Sequence, residues 1–160
     1  LLLCTNTMHK VADQVQEGLT IPLLNLLDVT ASAVTHVGID TVGLLATRFT
    51  MEEDFYRERF GRHGLRVIAP EPADRAEVNR IIYDELCRGI ISDESRRTYR
   101  GVIGRLIAAG AAGIILGCTE VELLVTAKDS DVPVFPTTAL HVRAAVDAAL
   151  ADGPPGSAAG

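Results

Sequence analysis

Residues 110–124, with the sequence GAAGIILGCTEVELL, constrain the fold more than any other part of the chain. An apolar run bounded by glycines predicts a buried strand of a parallel sheet, and the residues that follow Cys118 predict the start of a helix. Cys118 then lies at the carboxyl edge of the sheet, where open α/β sheets bind ligands. We expect the helix start to favour its thiolate, Gly117 to let a ligand approach the backbone, and Thr119 to cap the helix. The alternative is a buried thiol that only packs.

The rest of the chain alternates between strand and helix patterns. Strands are predicted at residues 1–4, 21–26, 41–46, 65–69, up to Cys118, and 132–135, and the main helices at 6–18, 28–38, 50–60, 74–88, 92–110 and 137–150. We expect Asp28 to cap the second of these helices. The alternation predicts an α/β fold in which a mainly parallel sheet is covered by helices, giving three layers. Residues 152–160, rich in Gly, Pro and Ala, are predicted to be disordered.

Composition excludes several classes of partner. A net charge of −6 argues against binding nucleic acid or an anionic membrane, and no apolar run approaches the roughly 18 residues of a membrane-spanning helix. The three cysteines have neither metal-like nor disulfide-like spacing, so we expect no metal site and a reducing, cytoplasmic location.

Two segments of the chain have similar sequence patterns. Residues 1–7 (LLLCTNT) and 114–120 (IILGCTE) both read as strand ends that carry thiol, hydroxyl and polar groups. In a protein of two similar halves that face each other, these ends would meet across one cleft. Leu1 stands inside a strand-like run, so we expect part of the first half to precede it.

These segments resemble the aspartate/glutamate racemase superfamily, whose members carry C-N-T-x-H after one strand and G-C-T-E or G-C-T-H after another. Here the motifs read TNTMH at residues 5–9 and GCTE at 117–120, with supporting similarity at 42–52, 95–96 and 132–135. The GCTE form is similar to the aspartate-type branch. The resemblance implies a racemase that needs no cofactor, built of two pseudo-symmetric α/β lobes with the site between them. Residues 1–38 would complete a partly missing first lobe, 39–131 would form the second, and 132–151 would be a return strand and helix packing on the first.

Racemisation of an acidic amino acid removes the α-proton from one face of the carbon and returns a proton to the other, so two acid/base groups must flank the substrate. The resemblance places Cys118 on the face that deprotonates the L-isomer. Aligning the motif puts Thr5, rather than Cys4, at the opposite position. Because side chains alternate along a strand, we expect Cys4 to be buried and to point away from the cleft; a bulge that turned it round is the rival.

Substrate-binding roles follow from motif position and from the strand ends. We assign them to Asn6, Thr7, Thr47, Thr119 and Glu120. The alternative for Asn6, Thr7 and Thr47 is a helix cap. Two further sets stay open at this point: His9 is either a proton carrier or a structural hydrogen-bonding group, and the candidates for holding a distal carboxylate are Arg48, Arg88 and Arg96.

The sequence therefore predicts an amino-acid racemase acting on aspartate or glutamate, with a small-molecule amino acid as its partner and the question of a homodimer left open. Two alternatives remain. One is a dicarboxylate decarboxylase or isomerase on the same scaffold, for which a single cysteine suffices. The other is a catalytically inactive, truncated remnant.

Overall fold

The computed structural model describes residues 1–151 and centres on a four-stranded parallel sheet. Its strands are β1 (Thr41–Leu45), β2 (Arg66–Ile68), β3 (Gly113–Leu116) and β4 (Val134–Pro136), in the order β2-β1-β3-β4. Every residue of β1 and β3 is buried, so both faces of the central strands are covered. The predicted α/β class is confirmed, and the prediction of disorder at 152–160 lies outside the described residues.

The helices follow most of the predicted pattern. They are α1 (Ala12–Glu17), α2 (Leu26–His36), α3 (Arg48–Glu52), α4 (Phe55–Gly61), α5 (Pro72–Asp84), α6 (Asp93–Ala108), α7 (Val121–Leu124) and α8 (Thr137–Ala151), with 3-10 turns at Thr7–Val11, Leu86–Arg88 and Ala127–Asp129. The predicted helices 50–60 and 74–88 are each interrupted. The first breaks at Glu53, whose backbone is extended, and the second ends at Asp84 before a 3-10 turn.

Packing of α6 on the sheet explains one glycine of β1. A Cβ atom built on Gly43 would lie 2.9 Å from Leu106 Cδ1 and 3.0 Å from Ile114 Cδ1. Any side chain there would push α6 away from the strand. Ser92 caps this helix by accepting from the Ser95 N–H, at the residue where the sequence predicts the helix to begin.

The two N-terminal strand predictions, 1–4 and 21–26, are wrong for the described chain. A single parallel bridge joins Leu2 to Leu24, and Leu26 already begins α2. Short apolar runs do not distinguish a strand from other buried segments, which explains the error. The cap of α2 is Asn25, whose side chain accepts from the N–H groups of Leu27 and Asp28.

The order of the strands creates a switch point between β1 and β3. From β1 the chain moves to β2 on one side, and it later returns to place β3 on the other side. Such a reversal leaves a crevice outside the carboxyl ends of the two strands, which is where α/β folds bind ligands. In residues 1–151, no helix is both long enough and apolar enough to cross a bilayer.

Candidate active site

A pocket of about 180 Å³ opens at this switch point. Three segments build it: the turn that follows β1, the loop that follows β3, and the N-terminal segment. The structure brings all the predicted site residues together in its lining, which consists of Cys4, Thr5, Asn6, Thr7, Thr47, Gly117, Cys118, Thr119 and Glu120.

Cys118 is buried and carries its proton. Its Sγ donates to Glu120 Oε2 at 2.9 Å, and Thr119 Oγ1 donates to the same oxygen at 2.7 Å. Burial and the hydrogen bond to the Glu120 carboxylate raise the pKa of the thiol to about 12, while the hydrogen bond from Cys118 lowers the pKa of Glu120. The expectation of a thiolate favoured by the helix start is therefore wrong. The resting site holds a thiol beside an ionised carboxylate.

One of two further expectations about this loop is also wrong. Gly117 lines the pocket, as expected, although a Cβ atom there would lie 2.9 Å from Leu44 Cδ1, so its missing side chain makes room for the protein core. Thr119 does not cap α7, because its hydroxyl is hydrogen-bonded to Glu120 and the helix begins only at Val121.

The opposite wall of the pocket is an irregular segment. The Thr5 N–H donates to the Leu3 carbonyl at 2.9 Å, which folds the chain into a tight turn. Because the segment is not a strand, its side chains do not alternate between two faces. Cys4 is exposed and lines the pocket together with half-buried Thr5, so the prediction that Cys4 is buried is wrong.

His9 fixes this wall in place. The Leu26 N–H donates to Nε2 at 3.0 Å, so Nδ1 carries the ring hydrogen and donates to the Thr5 carbonyl at 2.7 Å. Burial lowers the pKa of His9, which favours this neutral form. With both nitrogens bonded to the main chain, His9 has the structural role and is not free to relay protons from Thr5.

Asn6 is held by two residues that the sequence reading missed. Tyr56 Oη donates to Asn6 Oδ1 at 3.0 Å, and Asn6 Nδ2 donates to Thr137 Oγ1 at 3.0 Å. Asn6 makes no side-chain cap bond to the turn that follows it. Thr137 was identifiable only as the polar residue after the last strand, and Tyr56 carried no signal because an aromatic residue within a helix reads as core.

Three threonine hydroxyls link the N-terminal wall to the end of β1. Thr7 Oγ1 lies 2.9 Å from Thr50 Oγ1, which lies 3.3 Å from Thr47 Oγ1. Thr50 is buried, whereas Thr47 and Thr7 line the pocket. Thr47 occupies the N-cap position of α3 without a side-chain cap bond, so its hydroxyl faces the pocket network instead.

The arginine candidates lie elsewhere. Arg96 bonds to the Leu124 carbonyl and to Asp129, and Arg48 approaches Glu52 at 3.8 Å. None of Arg48, Arg88 and Arg96 lines the pocket. Among the described residues, Glu120 is the only charged group in the lining. Residues 1–151 contain no cluster of three or more His, Cys, Asp or Glu side chains suited to a metal ion.

Comparisons with known proteins give the same fold. A candidate Asp/Glu racemase from Yersinia pestis superposes with a TM-score of 0.89 at 57% identity over 93% of this chain, and an aspartate racemase homologue from Pyrococcus horikoshii OT3 with 0.85 at 33% identity over 93%. The chain spans about two thirds of these structures, 65% and 66% of their lengths. An uncharacterised protein in the pnlA 3′ region of Pectobacterium carotovorum is 33% identical over 102 residues, which is 64% of this chain and 67% of that protein.

The model of the Asp/Glu/hydantoin racemase family matches residues 1–145, a region that includes both walls of the pocket. The protein belongs to the Asp/Glu/hydantoin racemase family.

Proposed function

We propose that this protein catalyses cofactor-independent racemisation of an acidic amino acid, aspartate or glutamate. The observation that carries the proposal is the meeting of Cys118 and Thr5 in one pocket of about 180 Å³ at the switch point of the sheet. Such a pocket holds a small molecule, and two walls that each offer a proton-bearing group suit a reaction that works on both faces of one carbon.

Cys118 is the acid/base group for the L-face. Its proton first moves to Glu120 Oε2, 2.9 Å away, which leaves a thiolate to take the α-proton of the L-isomer. Glu120 then passes this proton to solvent. In the reverse direction the thiol donates its own proton to the planar intermediate, and the thiolate is reprotonated from solvent through Glu120. The high pKa of the resting thiol keeps it protonated, as this direction requires.

Thr5 serves the opposite face as the weaker partner. A threonine hydroxyl does not ionise near neutrality, so it passes a proton between the substrate and solvent instead of acting as a free base. His9 cannot assist, because both of its ring nitrogens bond to the main chain. Solvent on the exposed side of the segment supplies and accepts the proton.

The remaining polar groups of the lining bind the substrate. Thr7, Thr47 and Thr119 offer hydroxyls, and Asn6 offers the amide hydrogen that Thr137 does not use. Glu120 lies on the Cys118 wall, where it attracts the substrate ammonium group. The donors of Thr7, Thr47 and Asn6 stabilise the negative charge that develops on the α-carboxylate when the α-proton leaves.

We further propose the two-lobed arrangement of the chain. Residues 1–38 would belong to a first lobe, 39–131 to the second, and 132–151 to a return segment. In support, α8 packs against α2, and a groove of about 330 Å³ with exposed Leu1 and Leu2 lies beside α8. The free thiol at the site fits a reducing compartment such as the cytoplasm.

The test is a chiral assay of purified protein with L- and D-aspartate and with L- and D-glutamate. We expect each isomer to yield its mirror image, and Cys118→Ala to remove this activity. The same incubations, extended to malonate-like acids and maleate, report the alternatives. Carbon dioxide release or maleate consumption without inversion would assign a decarboxylase or an isomerase, and no turnover of any compound by a cooperatively folded protein would assign an inactive remnant.

A further inference from the structure

The two walls of the pocket are joined by a buried chain of hydrogen bonds. Tyr56 Oη donates to Asn6 Oδ1 at 3.0 Å, Asn6 Nδ2 donates to Thr137 Oγ1 at 3.0 Å, and Thr137 Oγ1 donates to the Leu116 carbonyl at 2.8 Å. Asn6 directly follows Thr5, and Leu116 ends β3 two positions before Cys118. The bonds thus connect Asn6, next to Thr5, with Leu116, near Cys118, through Thr137 of α8, and Tyr56 of α4 holds the Asn6 end.

Burial makes this connection specific. Tyr56 and Thr137 are both fully buried, and Asn6 is 6% exposed, so water does not compete for these bonds. A buried donor or acceptor that loses its partner carries the full cost of its desolvation, which favours the one geometry in which all are satisfied. The three residues lie far apart in sequence, and Asn6 and Thr137 are separated by 131 positions. No local backbone preference could set this spacing.

We propose that Tyr56 and Thr137 are positioning residues that fix the separation between the Thr5 and Cys118 walls. Neither lines the pocket, and each acts through Asn6 or through the end of β3. Thr137 holds both sides at once, because its hydroxyl accepts from Asn6 and donates to Leu116. Tyr56 orients the Asn6 amide so that its nitrogen faces Thr137.

The inference rests on the proposed racemisation. It predicts a change in the relative rates of exchange and inversion that a general loss of stability would not produce. Exchange of the L-isomer's α-hydrogen with solvent needs only the Cys118 wall, which removes a proton and returns deuterium to the same face. Inversion needs both walls at the correct separation. Loosening the connection should therefore slow inversion more than exchange, and a misplacement of about 1 Å can cost as much as ~10²-fold.

The experiment measures both rates for L-substrate in D₂O with Thr137→Val and Tyr56→Phe, which remove one hydroxyl each. We expect inversion to fall about 10-fold or more while exchange into recovered L-substrate falls less, so that the ratio of exchange to inversion rises. Thr137→Ser keeps the hydroxyl and should restore the ratio of the original protein. Folding of each variant is checked by its thermal unfolding midpoint.

Thr30→Val is the matched control. Thr30 is also fully buried and also donates to a main-chain carbonyl, that of Leu26, at 2.8 Å, but it does not line the pocket. Loss of the Thr30 hydroxyl should lower the thermal unfolding midpoint by a similar amount and leave the ratio of exchange to inversion unchanged. An unchanged ratio in both Thr137→Val and Tyr56→Phe, or the same rise in Thr30→Val, would overturn the inference while leaving the racemase in place. Absence of both exchange and inversion in the original protein would instead overturn the proposed function, and this inference with it.

Discussion

The two walls of the pocket are built by different means. The Cys118 wall extends a parallel ladder, in which β3 pairs with β1 and β4 up to Leu116 and the Gly117 N–H donates to the Leu45 carbonyl at 2.8 Å. The Thr5 wall has no ladder. It is a turn whose carbonyl is held by His9 and whose next side chain is held by Tyr56 and Thr137.

The contrast extends to the chemistry of the two walls. One wall holds a buried thiol with a carboxylate at hydrogen-bond distance, an arrangement that can store and release a proton within the protein. The other holds a half-buried hydroxyl whose nearest imidazole is fully occupied by main-chain groups. A pocket with walls this unequal should treat the two faces of its substrate unequally.

The largest expected effect removes the stronger wall. Cys118→Ala should reduce inversion by about 10²–10⁴-fold, the usual contribution of a general acid/base, with little loss of stability because the substitution deletes one small group. The measurement is the initial rate of mirror-image formation from both isomers. Cys87→Ala, at an exposed position outside the pocket lining, should leave the rate unchanged. Near-normal inversion by Cys118→Ala would end the assignment of this residue.

Substitutions on the weaker wall decide between two adjacent residues. We expect Thr5→Ala to slow inversion severely, by about 10²-fold, and Cys4→Ala to have little effect. Thr5→Cys, which places a second thiol opposite Cys118, should maintain or raise the rate. Both Cys4 and Thr5 line the pocket, so the effects of these substitutions decide which of the two side chains acts on the substrate. If Cys4→Ala were the damaging change, the weaker wall would depend on a thiol after all.

Removing the charge of Glu120 should have a smaller effect, which appears in the reactivity of the Cys118 thiol. Glu120→Gln removes the negative charge that helps to raise the pKa of the thiol, so that pKa should fall from its value of about 12. Each unit of decrease gives about tenfold more thiolate below the pKa, and alkylation of Cys118 by iodoacetamide at pH 8 should accelerate accordingly. Peptide mapping by mass spectrometry separates Cys118 from Cys4 and Cys87. Alkylation that slowed in Glu120→Gln would contradict the role given to the carboxylate.

His9 tests how the weaker wall is held. His9→Phe leaves the Thr5 carbonyl and the Leu26 N–H without their partner, which should lower the free energy of unfolding by about 1–3 kcal/mol at pH 7.5. Burial lowers the pKa of folded His9, so the unfolded chain binds more protons below its own pKa of about 6.5. Stability from this residue should thus be complete above that pH and decline as the pH falls through it.

The same decline should be smaller in His9→Phe, and urea unfolding at pH 7.5 and 5.5 measures the difference. His36→Phe, on the exposed surface, is the control and should retain the pH dependence of the original protein. Equal pH dependence in His9→Phe and the original protein would show that His9 is not the group that holds the segment.

The two walls also differ in how far the sequence predicts them. The strand that ends at Leu116 was predicted correctly because glycines bound its apolar run. The position of the loop that follows this strand was predicted together with it. The opposite wall was predicted as a strand, and the alternation rule then misplaced Cys4. The side chains that hold this wall, Tyr56 and Thr137, lie 50 and 131 positions from Asn6, beyond the reach of any local pattern.

The sequence also did not reveal the surroundings of the Cys118 thiol. The position of Cys118 at a strand end was predicted correctly, but the direction of its pKa shift was not. That shift depends on how deeply the thiol is buried and on where the Glu120 side chain turns, and both are decided by tertiary packing.

Hydrogen exchange in D₂O tests the inequality of the two walls most directly. The equilibrium constant between mirror images is one, so kcat/KM is equal in the two directions whatever the bases are, and only isotope exchange can reveal asymmetry. If Cys118 is the efficient base, L-aspartate or L-glutamate should gain deuterium without always inverting, whereas the D-isomer should exchange mainly together with inversion. At equal conversion, we therefore expect more deuterium in recovered L-substrate than in recovered D-substrate. Equal labelling of the two recovered isomers would contradict the account, because it would mean that the Thr5 wall removes and returns protons as well as the thiol does.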